Sequence, residues 1–253
     1  MNQQEKAKAF RALHVPGDPI ILLNVWDVGS ATAIAKAGAK AIATGSWSIA
    51  AANGFPDGEK MDLDLHIAII GRIASAIELP VTADLESGYG ETPQAVGRTI
   101  ARALAAGVVG CNLEDSFPAD GSLRDIADQI GRYAAVRASA KEAGIDLFLN
   151  ARTDVFFQRP AQDHDTGMVE AALERARAYA DAGADGLFVP GLIDISLIAR
   201  IVSGSPLPVN IMRTGTEPSI SSLAEAGVAR VSHGPAPYLQ AMAALEQMAR
   251  ELR

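Results

Sequence analysis

The chain has 253 residues, a formal net charge of −8, and a composition that is 49% hydrophobic and 21% charged. That is the profile of a globular protein with enough residues for one barrel-sized domain or two ordinary ones, and the acidic balance excludes a surface built for nucleic acid or an anionic membrane. No apolar run reaches the ~18 residues of a membrane-spanning helix, and the one cysteine, Cys111, excludes an internal disulfide and points to a reducing cytoplasm.

The N-terminal MNQQEKAKAFRALH is polar and amphipathic, unlike a secretory leader. After it the chain repeats one phrase: a small-residue helix end, a glycine, then an apolar strand. The phrase stands at AKAGAKAIAT (35–44), LAAGVVGCNLE (104–114), KEAGIDLFLNAR (141–152), YADAGADGLFVP (179–190) and LAEAGVARVS (223–232). A glycine just past a helix is a left-handed stop, and an uninterrupted apolar strand after it is buried on both faces. Adding Ile20–Trp26, Leu79–Glu86 and Pro208–Met212 predicts eight strands near 20–26, 40–45, 80–85, 108–114, 147–152, 186–190, 208–212 and 228–232. Ile67, Ile70, Ile73, Ala74 and Ile77 recur at helical spacing between two of them, as do Val169, Leu173, Ala176 and Ala180. Eight β/α units in ~250 residues predict a closed (β/α)₈ TIM barrel over 1–253 as a single domain, the rival being an open doubly wound sheet.

Nearly every predicted strand ends in reactive groups: Asn24, Trp26 and Asp27; Thr44, Gly45 and Ser46; Asp84 and Glu86; Asn112, Glu114 and Asp115; Asn150, Arg152 and Asp154; Asn210 and Arg213. Strand C-termini are where barrel active sites are built. Asp84 and Glu86, two apart on one strand, are expected on one side with Glu114 beside them. Three carboxylates in a small space require a cation or shared protons. Mg²⁺, or Mn²⁺, suits an all-oxygen set, whereas no His or Cys is spaced with these acids to hold Zn²⁺. The alternative is structural ion pairing to Arg152 or Arg213, or helix capping. Arg152 has the planar fork that grips a carboxylate or phosphonate, and Gly45, Ser46 and Trp47 offer backbone N–H groups and a hydroxyl to an anion. Asn210 joins this substrate-binding set. Gly88-Tyr89-Gly90 lacks the spacing of a phosphate loop; His233 is expected to be structural and Cys111 to lie in the core.

NVWDVGSA (24–31), ATGSWSIAAANGFPDG (43–58), VTADLESGYG (81–90), GCNLEDS (110–116) and LNARTDVF (149–156) resemble the isocitrate lyase/phosphoenolpyruvate mutase superfamily, in order, from about Leu22 to the end. The likeness is greatest to its short bacterial phosphoenolpyruvate-mutase-like members. It implies a barrel, Mg²⁺, and reactions that make or break a C–C or P–C bond beside a 2-oxo-carboxylate through an enolate. It further implies that Asp84 is the principal metal acid, with Glu86 and Glu114 holding the metal mainly through water. Gly45, Ser46 and Trp47 would bind the carboxylate or oxo end, Asp57 line the site, and Arg152 bind the anionic head. Asp57, Arg152 and Ser46 are the candidate catalytic residues.

The resemblance breaks in the loop after the fourth strand. The superfamily's lyases carry a Cys-Gly-His lid there and its phosphonomutases a Lys and an Asn; Ser116 to Leu123 has neither the lyase Cys nor the mutase Lys and Asn. The loop is expected to be a mobile lid. Without an acidic Cys, the favoured chemistry is cleavage or decarboxylation of an oxaloacetate-like or substituted malate-like acid, ahead of a phosphonomutase or phosphonate hydrolase. Two rivals stand outside it: a sugar-phosphate enzyme binding at Thr214-Gly215-Thr216 and Ser232-His233-Gly234, and a non-catalytic small-acid-binding barrel. Finally, Pro235–Leu252 forms a helix with Tyr238, Met242, Leu245, Ala249 and Leu252 on one face and Leu239, Ala243 and Met248 beside it, a strip wider than one barrel flank needs. That predicts a homodimer or homotetramer, and the resemblance implies exchange of this helix between subunits.

Overall fold

A computed structural model describes residues 1–252. Nine strands, all parallel, form one sheet: β1 Ile20–Leu22, β2 Asn24–Val25, β3 Ile42–Thr44, β4 Val81–Asp84, β5 Gly110–Glu114, β6 Phe148–Arg152, β7 Gly186–Val189, β8 Val209–Met212 and β9 Arg230–Ser232. β1 pairs with β9 and β2 with β3, so the two pieces flanking Leu23 are halves of one stave and close an eight-stave barrel. The helices that wrap it are α2 Val28–Lys36, α3 Ser46–Ala52, α4 Leu63–Ala76, α5 Pro93–Ala105, α6 Ile126–Ala143, α7 Thr166–Asp181, α8 Ile195–Gly204, α9 Ile220–Glu225 and α10 Ala236–Glu251, preceded by α1 Gln3–Ala12.

The five predicted glycine stops, Gly38, Gly107, Gly144, Gly183 and Gly227, all have positive φ, between 68° and 100°, the left-handed conformation that a side chain resists. Helix starts are capped by side chains of Asp27, Asp62, Thr92, Asp165, Asp194 and Ser219 accepting from first-turn amides, contacts worth about 1 kcal/mol each. The strands are shorter than expected, most of them by one or two residues at one end. In particular β4 stops at Asp84, leaving Glu86 in a turn.

The amphipathic N-terminus does more than precede the barrel. Its helix α1 closes the floor, with Phe10 fully buried edge-on to Phe148 and His14 stacked on the same ring at 3.9 Å between centroids. Gly110 makes room for it: a Cβ there would lie 2.8 Å from Phe10 Cε1 and 2.9 Å from Thr82 Oγ1. Above this floor the barrel interior is polar. Asn150 Nδ2 donates to Asn112 Oδ1 at 2.9 Å, Asn210 Nδ2 to Ser232 Oγ at 3.1 Å, and the fully buried Arg230 donates to Ser232 Oγ at 3.2 Å and Asn112 Oδ1 at 3.3 Å. Burial without a carboxylate salt bridge lowers the Arg230 pKa to about 10.

α10 leaves the barrel surface. None of its side chains is buried, and Leu239, Met242, Leu245 and Met248 are all exposed. Its hold on the barrel is Tyr238, edge-on to Trp26 and Trp47 with centroids 5.1 and 5.9 Å apart. Among the described residues no helix is long and apolar enough to cross a membrane.

Candidate active site

At the C-terminal mouth lies a cavity of about 210 Å³, smaller than the ~300–1,000 Å³ of drug-sized ligand sites. Gly45, Ser46, Trp47, Asp57, Asp84 and Arg152 line it, as the sequence predicted, together with Asn24 and Asn112. The remaining wall, which the sequence did not reveal, is Phe157, Phe188, Pro190, Met212 and Pro235, with Ser232 and Gly234 at its edge.

Asp84 is the centre of the polar side. Its backbone N–H donates to Thr44 Oγ1 at 3.1 Å, and its Oδ2 accepts from Ser46 Oγ at 2.9 Å and Ser46 N at 3.4 Å. The Gly45 N–H is spent on Val25 O. Of the donors expected to receive a substrate anion at this turn, those of Ser46 therefore serve the Asp84 carboxylate and that of Gly45 a backbone carbonyl. Asp84 Oδ1 is buried and has no hydrogen-bond partner. Such an orphan is costly unless something outside the chain takes it up. Asp57 shares the cavity; burial, then the Asp84 charge, raises its pKa above the usual carboxylate value.

Register explains the next cluster. Glu114 on β5 pairs directly with Arg152 on β6, and Arg152 Nη1 forms an ion pair with Glu114 Oε2 at 2.8 Å. The other edge of the guanidinium forks onto Asp154, Nε to Oδ1 at 2.6 Å and Nη2 to Oδ2 at 3.0 Å. Ser116 Oγ donates to Asp154 Oδ2 at 2.7 Å and Glu114 Oε1 at 3.2 Å. Burial opposes the Arg152 charge, but Asp154 and then Glu114 outweigh it and hold its pKa well above the ordinary value. Burial drives the Glu114 pKa well up despite Arg152. Two of the five guanidinium N–H groups are thus hydrogen-bonded, both to Asp154, and Nη1 is ion-paired to Glu114.

Glu86 departs from the strand-based expectation. Beyond the end of β4 it has φ 51°, so alternation no longer sets its direction. Its Oε2 accepts from Glu59 N at 2.6 Å and its Oε1 from Tyr89 Oη at 2.7 Å, and Tyr89 Oη also meets His66 Nδ1 at 2.8 Å. Glu59 reciprocates, its Oε1 accepting from Ser87 Oγ at 2.7 Å and Tyr89 N at 2.8 Å. Glu59, Glu86 and Tyr89 are the non-glycine residues with positive φ among those described. Such backbone persists only where its surroundings over-determine it. Burial raises the Glu86 pKa to about 7, against the hydrogen bond from Tyr89. Neither Glu86 nor Glu114 lines the cavity.

Asn210 is a correction. It is buried one strand period below the mouth, hydrogen-bonded to Ser232, and the β8 side chain that reaches the cavity is Met212. The phosphate-loop alternative also loses two of its donors. His233 N and Gly234 N both point at Asn24 Oδ1, at 3.1 and 2.8 Å, while Arg213 folds back on Pro218 O and Thr216 O. His233 is structural, its pKa lowered by burial. Cys111 is buried, and burial pushes its thiol up to about 12. The 116–123 loop forms a small hairpin, with Ser116 bridged to Leu123 and Gln158 Nε2 donating to Gly121 O at 2.9 Å; none of its residues lines the cavity.

Among the described residues no three of His, Cys, Asp and Glu converge to enclose a metal ion. The donor set still fits Mg²⁺, which needs only one or two carboxylates and retains several waters: Asp84 Oδ1 is the free oxygen, and Glu86 and Glu114 stand outside the cavity lining.

The sequence matches the phosphoenolpyruvate phosphomutase family over residues 10–253. A Burkholderia cenocepacia J2315 protein, provisionally assigned as a phosphonomutase, has a crystal structure with TM-score 0.97 and 55% identity, covering 100% of both chains. An uncharacterised Mycobacterium tuberculosis protein is 36% identical over 96% of this chain and 88% of its own. The oxaloacetate decarboxylase of Pseudomonas savastanoi pv. phaseolicola is 29% identical over 100% of this chain and 86% of its own. The same fold, at 24% identity and TM-score 0.84, covering 99% of this chain and 87% of the other, occurs in a phosphonopyruvate hydrolase solved with oxalate and Mg²⁺.

Proposed function

Because this chain belongs to the phosphoenolpyruvate phosphomutase family, within the isocitrate lyase/phosphoenolpyruvate mutase superfamily, whose members are lyases and phosphonomutases, we propose that it is a Mg²⁺-dependent carbon–carbon lyase. Its substrate on this reading is an oxaloacetate-like or substituted malate-like acid. The observation that carries the reading is the pairing, in one small cavity, of an orphaned Asp84 Oδ1 with the Arg152 guanidinium, only two of whose five N–H groups are hydrogen-bonded within the chain.

Mg²⁺ held at Asp84 would supply charge stabilisation to an oxygen that becomes negative as the bond breaks. Everything else falls to the chain. Ser46 fixes the Asp84 carboxylate by donating to Oδ2, and Arg152 grips the substrate's carboxylate while Glu114 and Asp154 hold the guanidinium in place. For an oxaloacetate-like acid the C3–C4 bond breaks, its electron pair forms the enolate C2=C3 double bond, and CO₂ leaves. Asp57, which lines the cavity and whose pKa is raised by burial and then by the Asp84 charge, is assigned the delivery of a proton to C3, which gives the 2-oxo acid. The hairpin at 116–123 is assigned the part of a lid, and the exposed strip of α10 that of an interface with a second copy.

A phosphonomutase or phosphonate hydrolase is the second reading, favoured by the 55% identical Burkholderia structure. Oxaloacetate and phosphonopyruvate, each supplied with Mg²⁺ and assayed for pyruvate, CO₂ and phosphate, separate the two. Pyruvate with CO₂ supports the lyase; phosphate release or phosphonopyruvate turnover alone overturns it.

A further inference from the structure

Below the mouth the barrel interior holds a cation with no carboxylate partner. Arg230 on β9 is fully buried, and burial lowers its pKa only to about 10, with the attraction of Asp84 acting against it. The guanidinium therefore stays charged at neutral pH. Its Nη1 is buried without a hydrogen-bond partner. Desolvating a charge in this way is costly, and an apolar side chain would fill the same layer at less cost.

What Arg230 does reach is Asn112. Register sets Asn112 on β5 beside Asp84 on β4 and Asn150 on β6, one strand period below the Glu114–Arg152 pair, and Asn112 lines the cavity from that depth. Its Oδ1 accepts from Asn150 Nδ2 at 2.9 Å and from Arg230 Nη2 at 3.3 Å. A guanidinium has no acceptor, so the Asn112 atom that faces Arg230 has to be the oxygen. The amide is thereby locked one way round. Its Nδ2, which makes no hydrogen bond to any described residue, is left to the cavity side.

Other side-chain donors around the cavity are committed. Asn24 Nδ2 donates to Thr44 O at 2.9 Å, Ser46 Oγ to Asp84 Oδ2 at 2.9 Å and Ser232 Oγ to Asn210 Oδ1 at 3.2 Å. Asn112 Nδ2 thus joins Arg152 as a donor still open to a ligand, at the deep end of the cavity where Arg152 stands nearer the mouth. Two donors on one carbonyl oxygen, one of them charged, polarise the amide and strengthen its own N–H groups as donors. An amide so backed suits an oxygen that carries negative charge.

We propose that Asn112 is a substrate-binding residue, its Nδ2 donating to the deepest anionic oxygen of the 2-oxo acid or of its enolate, with Asn150 and Arg230 as the positioning residues that hold its amide. Arg230 acts at one remove: it touches no ligand, but it orients Asn112 and places a positive charge beneath the bound anion. This rests on the 2-oxo-acid reading of the site and adds which side chain receives the inner end of the molecule. Asp84 and Arg152 then hold the ligand from the side and the top, and Asn112 from below.

Binding without turnover tests it. The full chain is titrated calorimetrically, in Mg²⁺, with oxalate, a planar dianion shaped like the enolate of pyruvate, and with oxamate, in which a neutral amide replaces one carboxylate. Asn112→Asp keeps an acceptor for Asn150 and Arg230 and gives Arg230 a counter-ion, so its unfolding midpoint should hold or rise while oxalate binding weakens about tenfold or more. Its Mn²⁺ affinity without oxalate, read by electron paramagnetic resonance, should not fall, which separates ligand loss from metal loss. Asn112→Leu removes the donor without adding charge and should weaken oxalate by a similar factor. Arg230→Met should reduce the preference for oxalate over oxamate, whereas a purely structural Arg230 would weaken both alike. Oxalate affinity retained in Asn112→Asp or Asn112→Leu would overturn the role of Asn112, and an unchanged preference in Arg230→Met that of Arg230; both leave the 2-oxo-acid reading standing. No binding of oxalate to the wild type in Mg²⁺ would overturn that reading as well.

Discussion

Replacing Arg152 with Met removes the cation shared by two carboxylates in a nearly closed space. The side chains of Arg152, Glu114 and Asp154 are 19%, 12% and 6% exposed, so solvent cannot take over the lost pairing, and stranding buried charge in this way costs about 3–5 kcal/mol. Glu114 moderates the loss. Burial already raises its pKa well above the ordinary value, and without Arg152 it rises further, so the carboxyl takes up a proton. The sign then follows: a carboxylate whose folded pKa is raised loses stability as pH climbs from its unfolded value of about 4.3 to its folded one. Arg152→Met should therefore lie closest to the wild type near pH 4–5 and fall away towards pH 8 in urea unfolding. Arg152→Met/Glu114→Gln/Asp154→Asn removes the whole ionic cluster and should recover most of the stability. Activity should not follow. With one or two charge-assisted hydrogen bonds to substrate gone, at about 1.5–3 kcal/mol each, kcat/KM stays down by about a hundredfold or more. An Arg152→Met protein as stable as the wild type across this pH range would refute the energetic argument, and a triple variant with restored kcat/KM would refute the substrate role.

Asp84→Asn should abolish tight Mn²⁺ binding, followed by electron paramagnetic resonance, without lowering the unfolding midpoint, because the change removes charge beside Asp57 and no core packing. Ser46→Ala, which only frees the Asp84 carboxylate to turn, should weaken Mn²⁺ about 10–100-fold; equal affinities in all three proteins would break the assignment. Acid stability should depend on His14, whose pKa burial lowers to about 3: the unfolded chain binds the extra proton, so stability falls by about 1.4 kcal/mol per pH unit from pH 6.5 downwards. His14→Phe, keeping the ring on Phe148, should flatten that decline between pH 6 and 4, and parallel wild-type and variant curves would count against it. Leu239→Glu with Leu245→Glu on α10 should convert a dimer or tetramer to single chains by light scattering; a wild-type mass of one chain at micromolar concentration removes the interface.

The barrel was legible because its signals are local. Each junction glycine stands between a helix and an apolar run, and all five occupy the conformation expected of them. Asp84 and Arg152 were legible as mouth residues because a polar residue ending a buried strand has to emerge there. What stayed hidden depended on depth or on backbone turns. Asn210 and Met212 share one face of β8, and nothing in their spacing says which reaches the cavity. Phe188 and Met212 look like ordinary core, since a strand buried on both faces does not distinguish the barrel axis from the helix layer. Glu86 left its strand through a positive-φ turn that no alternation rule anticipates, and Ser46's donors were claimed by Asp84 through a contact 38 residues away in sequence. α1 shows in the sequence only as a polar, amphipathic stretch because only Ala7 and Phe10 are fully buried.

The divided first stave also sets an order on how the molecule can be made. Thr82 meets Gly110 across β4 and β5, 28 residues on, but Ile20 meets Arg230, 210 residues on. Closing the longer span costs about 2 kcal/mol more in chain entropy, and on the ribosome the partner of β1 does not yet exist while the first seven staves emerge. β2 can pair with β3 early; β1, three residues earlier in the chain, has to wait. Leu23 lies between these two fates, and the seam it marks is the place where a nascent chain presents an open edge for longest.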